Sequence, residues 1–110
     1  MPTKQRFKVR WTHTATQDLE SIVDFIARDN VSASIQIMDR IRQTGSTLKA
    51  KPHRGRIVPE LEEIGLRIYR ELICPPWRII YRISNANVFV MGVIDARRNV
   101  EDILLERFTR

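Results

Sequence analysis

The stretch from Trp77 to Asp95 constrains the fold of this chain more than any other part of it. Trp77-Arg78-Ile79-Ile80-Tyr81-Arg82-Ile83 and Val88-Phe89-Val90-Met91-Gly92-Val93-Ile94-Asp95 flank a polar Ser84-Asn85-Ala86-Asn87 segment. β-Branched and aromatic side chains suit a pleated, half-buried surface and Ser/Asn clusters suit a turn, so this arrangement predicts a β-hairpin. Successive side chains on a strand point to opposite sides. Trp77, Ile79, Tyr81 and Ile83 therefore share one face, and Arg78, Ile80 and Arg82 the other. The second run is apolar on both faces, the pattern of a central strand covered on both sides. It ends in Asp95-Ala96-Arg97-Arg98-Asn99, which places positive charge at one end of the hairpin.

The segments around the hairpin have to cover it. Phe7-Lys8-Val9-Arg10-Trp11 alternates strictly, predicting a first strand with Phe7, Val9 and Trp11 inward. Thr14, with Gln17 three residues on, reads as a capping box opening a helix over about residues 15–28. Ala15, Leu19, Ile22, Val23, Ile26 and Ala27 recur at spacings of three and four as its apolar stripe, with Asp18, Glu20 and Asp24 at other positions. Asp29-Asn30 breaks this helix, and Ser32 is placed to cap a second one. Its stripe is Ile37, Met38, Ile41, Gly45 and Leu48, and Gly45 permits close approach of a neighbour. The short polar link predicts an αα-hairpin. Basic Lys51-Pro52-His53-Arg54-Gly55-Arg56 and acidic Val58-Pro59-Glu60-Leu61-Glu62-Glu63-Ile64-Gly65 lack strong periodicity and read as a connecting loop with one helical turn near Pro59. Leu66 to Ile73 alternates as a strand, with Leu66, Ile68 and Leu72 on one face and Arg67, Tyr69 and Glu71 on the other. Cys74-Pro75-Pro76 then turns the chain, because proline cannot donate to a ladder. Asn99 caps a final helix with Asp102 in its first turn, where an acid suits the helix dipole. Val100, Ile103, Leu104 and Phe108 form its stripe.

The order β-α-α-β-β-β-α predicts an α+β fold, a helical hairpin packed on a mainly antiparallel four-stranded sheet. At 110 residues the chain is one domain, residues 1–110. Periodicity leaves the place of the first strand in the sheet open. Trp77, Ile79, Tyr81, Val90, Leu19 and Ile22 are expected to be buried together.

With 19 Lys and Arg against 13 Asp and Glu, the formal charge is +6, which favours an anionic partner. The single Cys74 excludes an intramolecular disulfide and a cysteine-rich zinc site. No run approaches the roughly 18 apolar residues of a membrane helix, and the N-terminus lacks a signal-peptide core, so a cytoplasmic location is expected. There is no glycine-rich phosphate loop and no HExxH. His13 and His53 stand far apart without carboxylate spacing, and the Glu60, Glu62, Glu63 run reads as a solvated face; neither metal nor cofactor is expected. Arginine supplies the one constellation above background. Arg78 and Arg82 share a strand face, Arg97 and Arg98 follow the next strand, and Arg54 and Arg56 lie in the long loop. A guanidinium offers a rigid fork of donors matched to phosphate or carboxylate. Tyr69 could add stacking on a base. A solvated basic face with Arg–Glu pairs is the alternative.

Trp77-Arg78-Ile79-Ile80-Tyr81-Arg82-Ile83, the apolar strand, Asp95-Ala96-Arg97-Arg98-Asn99 and the Gly55-Arg56…Pro59-Glu60-Leu61 loop, taken in order, resemble the RelE/ParE toxins of bacterial type II toxin–antitoxin systems over nearly the whole chain. The resemblance implies a small sheet against an N-terminal helical hairpin, growth arrest, a role in plasmid stabilisation, and a cognate acidic antitoxin that wraps and neutralises the toxin. The family divides by mechanism. RelE-like members cut messenger RNA on the ribosome without a metal, orienting the ribose 2′-hydroxyl and stabilising the charged phosphorane with basic residues. Arg78 and Arg97 match arginines of that branch and are the catalytic candidates if the chain is a nuclease. The tyrosine of that branch falls at or near Ile103 here, its lysines fall near Tyr69 and Glu71, and no histidine stands near Arg97. Losing an acid–base group costs roughly 10²–10⁴ in rate. ParE-like members poison DNA gyrase and need no such set, so the resemblance favours the ParE branch. A metal-independent mRNA endonuclease and a non-toxic binding protein of the same fold are the alternatives. The expected anion or target contacts are Arg56, Tyr69, Arg78, Arg82, Arg97 and Arg98. Leu104, Arg107 and Phe108, with Arg110, are expected to form an interaction surface on the final helix.

Overall fold

The hairpin forms as its pattern requires. The computed structural model describes residues 6–109. In it β4 (Trp77–Ser84) pairs antiparallel with β5 (Asn87–Asp95), Ser84 lying opposite Asn87. The turn narrows to two residues, and Asn85 adopts a φ of 55°, a left-handed conformation that Asn tolerates. β3 (Tyr69–Cys74) pairs antiparallel with β4, and β1 (Lys8–Trp11) lies parallel to the first half of β5. The sheet order is β1-β5-β4-β3-β2, so β5 and β4 are internal strands.

The sheet has five strands where the pattern predicts four. The addition is β2, Arg56–Ile57, which pairs with β3 through Arg56↔Glu71 and Ile57↔Arg70. Two residues are too few to show an alternation, so it reads as loop in the sequence. β3 begins at Tyr69, three residues later than the alternation suggests, and Leu66 joins the opposite core from Leu72. Ile68, just ahead of the strand, is exposed. The one helical turn expected near Pro59 is α3, Pro59–Glu62.

Both helices of the N-terminal hairpin start two residues earlier than expected or nearly so. α1 spans His13–Ala27 with Thr12, not Thr14, as its cap. Thr12 is held by β5: its N–H and its hydroxyl both donate to the Val90 carbonyl, at 3.1 and 3.0 Å, and its Oγ1 accepts from Ala15 N–H. The strand end thus decides where the helix begins. α2 spans Val31–Ser46, capped by Asn30 rather than Ser32, with Asn30 Oδ1 accepting from Ala33 N–H at 2.9 Å. Gly45 lets Trp11 close in: a Cβ there would lie 3.3 Å from the indole.

Two cores sandwich the sheet. Under the α1–α2 hairpin, Ala15, Leu19, Ile41 and Leu48 pack on Leu72, Trp77, Ile79, Tyr81, Val88, Val90 and Val93. Of the residues expected to be buried together, only Ile22 remains half-buried. On the opposite face α3 and α4 (Val100–Phe108, capped by Asn99) bury Val58, Leu61, Val100 and Leu104 against Ile80 and Ile94. A bulge makes this double coverage possible. The β4–β5 register passes from Ile80↔Gly92 to Tyr81↔Val90, leaving Met91 unpaired. One extra residue shifts the phase of a strand, so Val90 and Val93 both face the helical hairpin.

Tyr81 ties the basic loop to this frame. Its fully buried hydroxyl donates to the Pro52 carbonyl at 2.8 Å and accepts from Gly55 N–H at 3.0 Å. Burial raises the phenol above its ordinary pKa and keeps it a donor. A Cβ at Gly55 would lie 2.6 Å from that hydroxyl and 2.5 Å from the Glu71 carbonyl oxygen, so only glycine fits. Tyr81→Phe strands two buried backbone groups, and each costs about 1–3 kcal/mol when left unsatisfied. Chemical denaturation should show a lowered midpoint with an unchanged slope; an unaltered midpoint would show that the loop is not held this way.

Candidate functional site

Antiparallel pairing of β3 with β4 puts Glu71 opposite Ile80 and Arg78 opposite Ile73. Glu71 and Arg78 are therefore diagonal neighbours on the face covered by α3 and α4. Arg78 Nε donates to Glu71 Oε1 at 2.5 Å, and Arg56 Nε, reaching across from β2, donates to Glu71 Oε2 at 2.7 Å. The other end of Arg78 grips Glu60 of α3 with two parallel bonds of 2.7 and 2.8 Å. The Glu71 side chain is 0% exposed and that of Arg78 only 9%. Hydrogen bonding to Glu60, reinforced by Glu71, raises the Arg78 pKa, and the same bond to Arg78 lowers that of Glu60. Two carboxylates thus neutralise two guanidiniums within the fold.

The arginines of the sequence constellation do not converge. Arg97 is exposed and folds back on Asp95, with Nη2 to Oδ2 at 2.8 Å and Nε to Oδ1 at 3.0 Å. Arg82 lies over the Phe89 ring, 5.6 Å from its centroid. Arg54 donates to Thr47 Oγ1, and Arg98 is exposed beyond β5. Tyr69 packs on Phe108, ring centroids 4.8 Å apart, and is not presented for stacking on a base. Ile103, where a nuclease of the RelE type would carry its tyrosine, packs against the second core. Among the described residues no cluster of His, Cys, Asp and Glu is arranged to hold a metal ion.

The final helix serves the core more than a surface. Leu104 is 0% exposed, Phe108 packs against Tyr69, and Arg107 is engaged by Asp18. Apolar residues on the stripe of this short helix are drawn inward because the four-residue α3 covers only part of the β4–β5 sheet face. Arg110 lies outside the described residues.

A site that periodicity did not reveal lies between α1 and α4. β1 pairs with β5 only as far as Val90, so the rest of that edge is free of a strand. Asp18 Oδ2 accepts from Val93 N–H at 2.9 Å on this edge and from Arg107 Nη1 at 2.7 Å, while Asp18 Oδ1 accepts from Arg107 Nη2 at 3.0 Å. The arginine crosses the strand at Gly92, where a Cβ would lie 3.2 Å from both charged groups. Beside this clasp opens a groove of about 600 Å³. Ile22, Phe25, Ile26, Trp77 and Ile103 give it an apolar lining, and Arg97, Arg98 and Arg107 a basic one. Phe25, 69% exposed, is apolar yet off the α1 stripe, which is the signal that points to this groove.

Comparison with known proteins agrees with this architecture. The family described as the ParE toxin of the type II toxin–antitoxin system parDE matches residues 9–100. Toxin ParE3 of Caulobacter vibrioides is 27% identical over 90 residues, covering 81% of this chain and 86% of that protein. A chain from the chromosomal ParDE toxin–antitoxin system of P. aeruginosa superposes with a TM-score of 0.68 at 16% identity, over 83% of this chain and 97% of its own. A chain of the RelBE2 toxin–antitoxin complex of Mycobacterium tuberculosis does so with a TM-score of 0.61 at 20% identity, over 82% and 98%. At these identities the two structures establish a shared fold.

Breaking the buried network should destabilise strongly. Arg78→Ala leaves the buried Glu71 with Arg56 as its remaining partner and releases Glu60, a loss of up to about 3–5 kcal/mol, the value for a buried charge left unpaired, whereas Arg97→Ala, on an exposed pair, should leave the denaturation midpoint within error. The pH dependence follows from Glu60. Its folded pKa lies below the ordinary 4.5, so its contribution is complete above that value and lost as pH falls through the folded pKa. Thermal unfolding across the acid range should show this loss, and Glu60→Gln should reduce it; equal acid sensitivity in the variant would exclude Glu60 as its source.

Proposed function

The chain belongs to the ParE toxin family of type II toxin–antitoxin systems, and from that membership we propose that it arrests growth by poisoning DNA gyrase and is neutralised by a cognate acidic antitoxin. The observation that carries this choice is the state of Arg78. In a nuclease of the RelE type that arginine has to meet the charge of a phosphorane. Here Glu60 and Glu71 already hold it, and it is buried. The second arginine, Arg97, is paired with Asp95. The carboxylates beside them, Glu60, Glu71 and Asp95, are engaged as their ion-pair partners and are not set to move a substrate proton, and general acid–base help is worth roughly 10²–10⁴ in rate. A toxin that acts by binding needs no such group. Its site of action is then the cytoplasm, and its role the stabilisation of the replicon that encodes it; no helix among the described residues is long and apolar enough to cross a membrane.

The antitoxin reading draws support from two sides. The P. aeruginosa structure is of a ParDE system and the M. tuberculosis structure of a toxin–antitoxin complex. On this chain the helical hairpin exposes Phe25, Val31 and Ile35 at 69, 63 and 50%, apolar area suited to a partner helix. With Arg97 and Arg98 at the neighbouring groove, an acidic amphipathic segment finds both apolar contact and complementary charge. The segment orders as it binds.

Purified protein added to gyrase, plasmid DNA and ATP should accumulate cleaved DNA, and induced cells should show DNA-damage signalling. Codon-specific cuts in ribosome-bound messenger RNA would overturn this and restore the nuclease reading. Absence of growth arrest, with the neighbouring gene product still co-purifying, would leave only partner binding. Phe25→Asp with Ile35→Asp should abolish that co-purification without shifting the unfolding midpoint downward. Retained co-purification would move the antitoxin off the hairpin.

A further inference from the structure

The end of the sheet farthest from Arg97 carries a basic surface that none of the roles above uses. Alternation along β1 turns Val9 and Trp11 toward the helical hairpin and Lys8 and Arg10 to the opposite, exposed face, and Arg6 continues the outward series. Arg10 stands opposite Phe89 of β5, and Phe89 stands opposite Arg82 of β4. The row across three strands is therefore cation, aromatic, cation. At about 3.3 Å per residue the β1 series from Arg6 to Arg10 extends about 13 Å, and two strand spacings put Arg82 about 10 Å away from Arg10.

Three observations give this patch a direction. First, among the described residues no carboxylate forms an ion pair with any of its cations: Arg10 Nε donates to Asn87 Oδ1 at 2.9 Å, and Arg82 rests on Phe89. Elsewhere Arg56, Arg67, Arg78, Arg97 and Arg107 each hold an acid. Glu106 of α4 lines the hollow beyond Met91 and acts on Arg107. Second, cations on β1 alone would be explained as protection of an edge strand, but Arg82 belongs to an internal strand, and Phe89 holds its guanidinium in the same row. Third, the large exposed apolar side chains, Phe25, Val31, Ile35, Ile64, Ile68 and Ile73, all lie elsewhere. Protein interfaces centre on apolar or aromatic anchors, whereas nucleic-acid interfaces are more polar and far more positive.

We propose that Arg6, Lys8, Arg10 and Arg82 form a binding surface for the phosphate backbone of duplex DNA. A duplex presents one negative charge per about 1.7 Å of axis, so a row of this length meets several phosphates at once. Arg82 lies over one face of the Phe89 ring, and the patch is made of cations matched to phosphate, so recognition is of backbone charge and independent of sequence. The surface stands apart from the groove and from the buried network, and it requires no assumption about gyrase.

The test is anisotropy of a short labelled duplex titrated with the purified protein at several salt concentrations. Four neutralised phosphates predict a slope of log K against log salt near −3.6, about a hundredfold loss of affinity between about 50 and 200 mM. Arg6→Gln, Lys8→Gln, Arg10→Gln and Arg82→Gln should each weaken binding to all sequences alike and reduce the slope by about one. Arg28→Gln, at the end of α1 on the other side of the molecule, should leave both unchanged. Circular dichroism of each variant at the assay temperature should match the parent. A combined variant that keeps the full slope would overturn the proposal, as would absence of duplex binding by the parent. Tighter binding of the same single strand, with loss in the same variants, would replace the duplex by single-stranded nucleic acid. Co-sedimentation with anionic phosphatidylserine vesicles but no binding to DNA would assign the patch to a lipid surface instead.

Discussion

A carboxylate with no solvent exposure, Glu71 in the middle of β3, dictates much of what surrounds it. A charge taken out of water has to be paired and hydrogen-bonded where it stands. Arg78 is its diagonal neighbour on β4, and Arg56 comes from the two-residue β2, whose pairing with β3 places it there. Arg78 then has a second end to satisfy, and Glu60 in the first turn of α3 receives it. One buried charge thus accounts for a strand too short to stand alone and for the position of a single helical turn. It also takes out of service Arg78, one of the two arginines that sequence resemblance marks as catalytic candidates, and engages Arg56 of the expected anion contacts.

The second organising constraint is the outer edge of β5 beyond Val90, which β1 leaves without a neighbouring strand. An open strand edge invites pairing with another chain, and proteins block it. Here the block is a side chain: Asp18 of α1 takes the Val93 N–H, and Arg107 of α4 crosses Gly92 to neutralise that aspartate. Helices on opposite faces of the sheet are joined over its rim. The free space beside this clasp is the groove with its apolar lining and arginine margin.

Between them these two devices sort the positive charge of the chain. Arg56, Arg78 and Arg107 are structural cations, each held by an acid from another element. Arg97 and Arg98 remain at the groove, and Lys8, Arg10 and Arg82 at the opposite end of the sheet. The arginines of the sequence constellation are therefore spread over separate surfaces and not gathered into one active-site cluster. Separated basic surfaces favour binding to partners over concentrated electrostatic stabilisation of a transition state.

Much of the fold was legible in the residues. Alternation identified the hairpin, the inward faces of Trp77, Ile79 and Tyr81, the first strand, and the two helical stripes; proline marked the turn at α3, and ordered motifs marked the family. These signals are local, and local periodicity reports which way a side chain points. It does not report what stands opposite. Thr12 and Asn30 displaced Thr14 and Ser32 as caps because the Val90 carbonyl fixes where α1 can start and because Asn30 adopts the extended backbone a cap requires. The Met91 bulge, β2, the inward turn of Leu104 and the pairing of Arg78 with Glu60 and Glu71 have no periodic signature. Sequence alone determined that this chain builds a helical hairpin on a basic sheet of the RelE/ParE kind. Only tertiary structure decided which arginines are free, because a guanidinium is available to a partner only where no buried carboxylate has already claimed it.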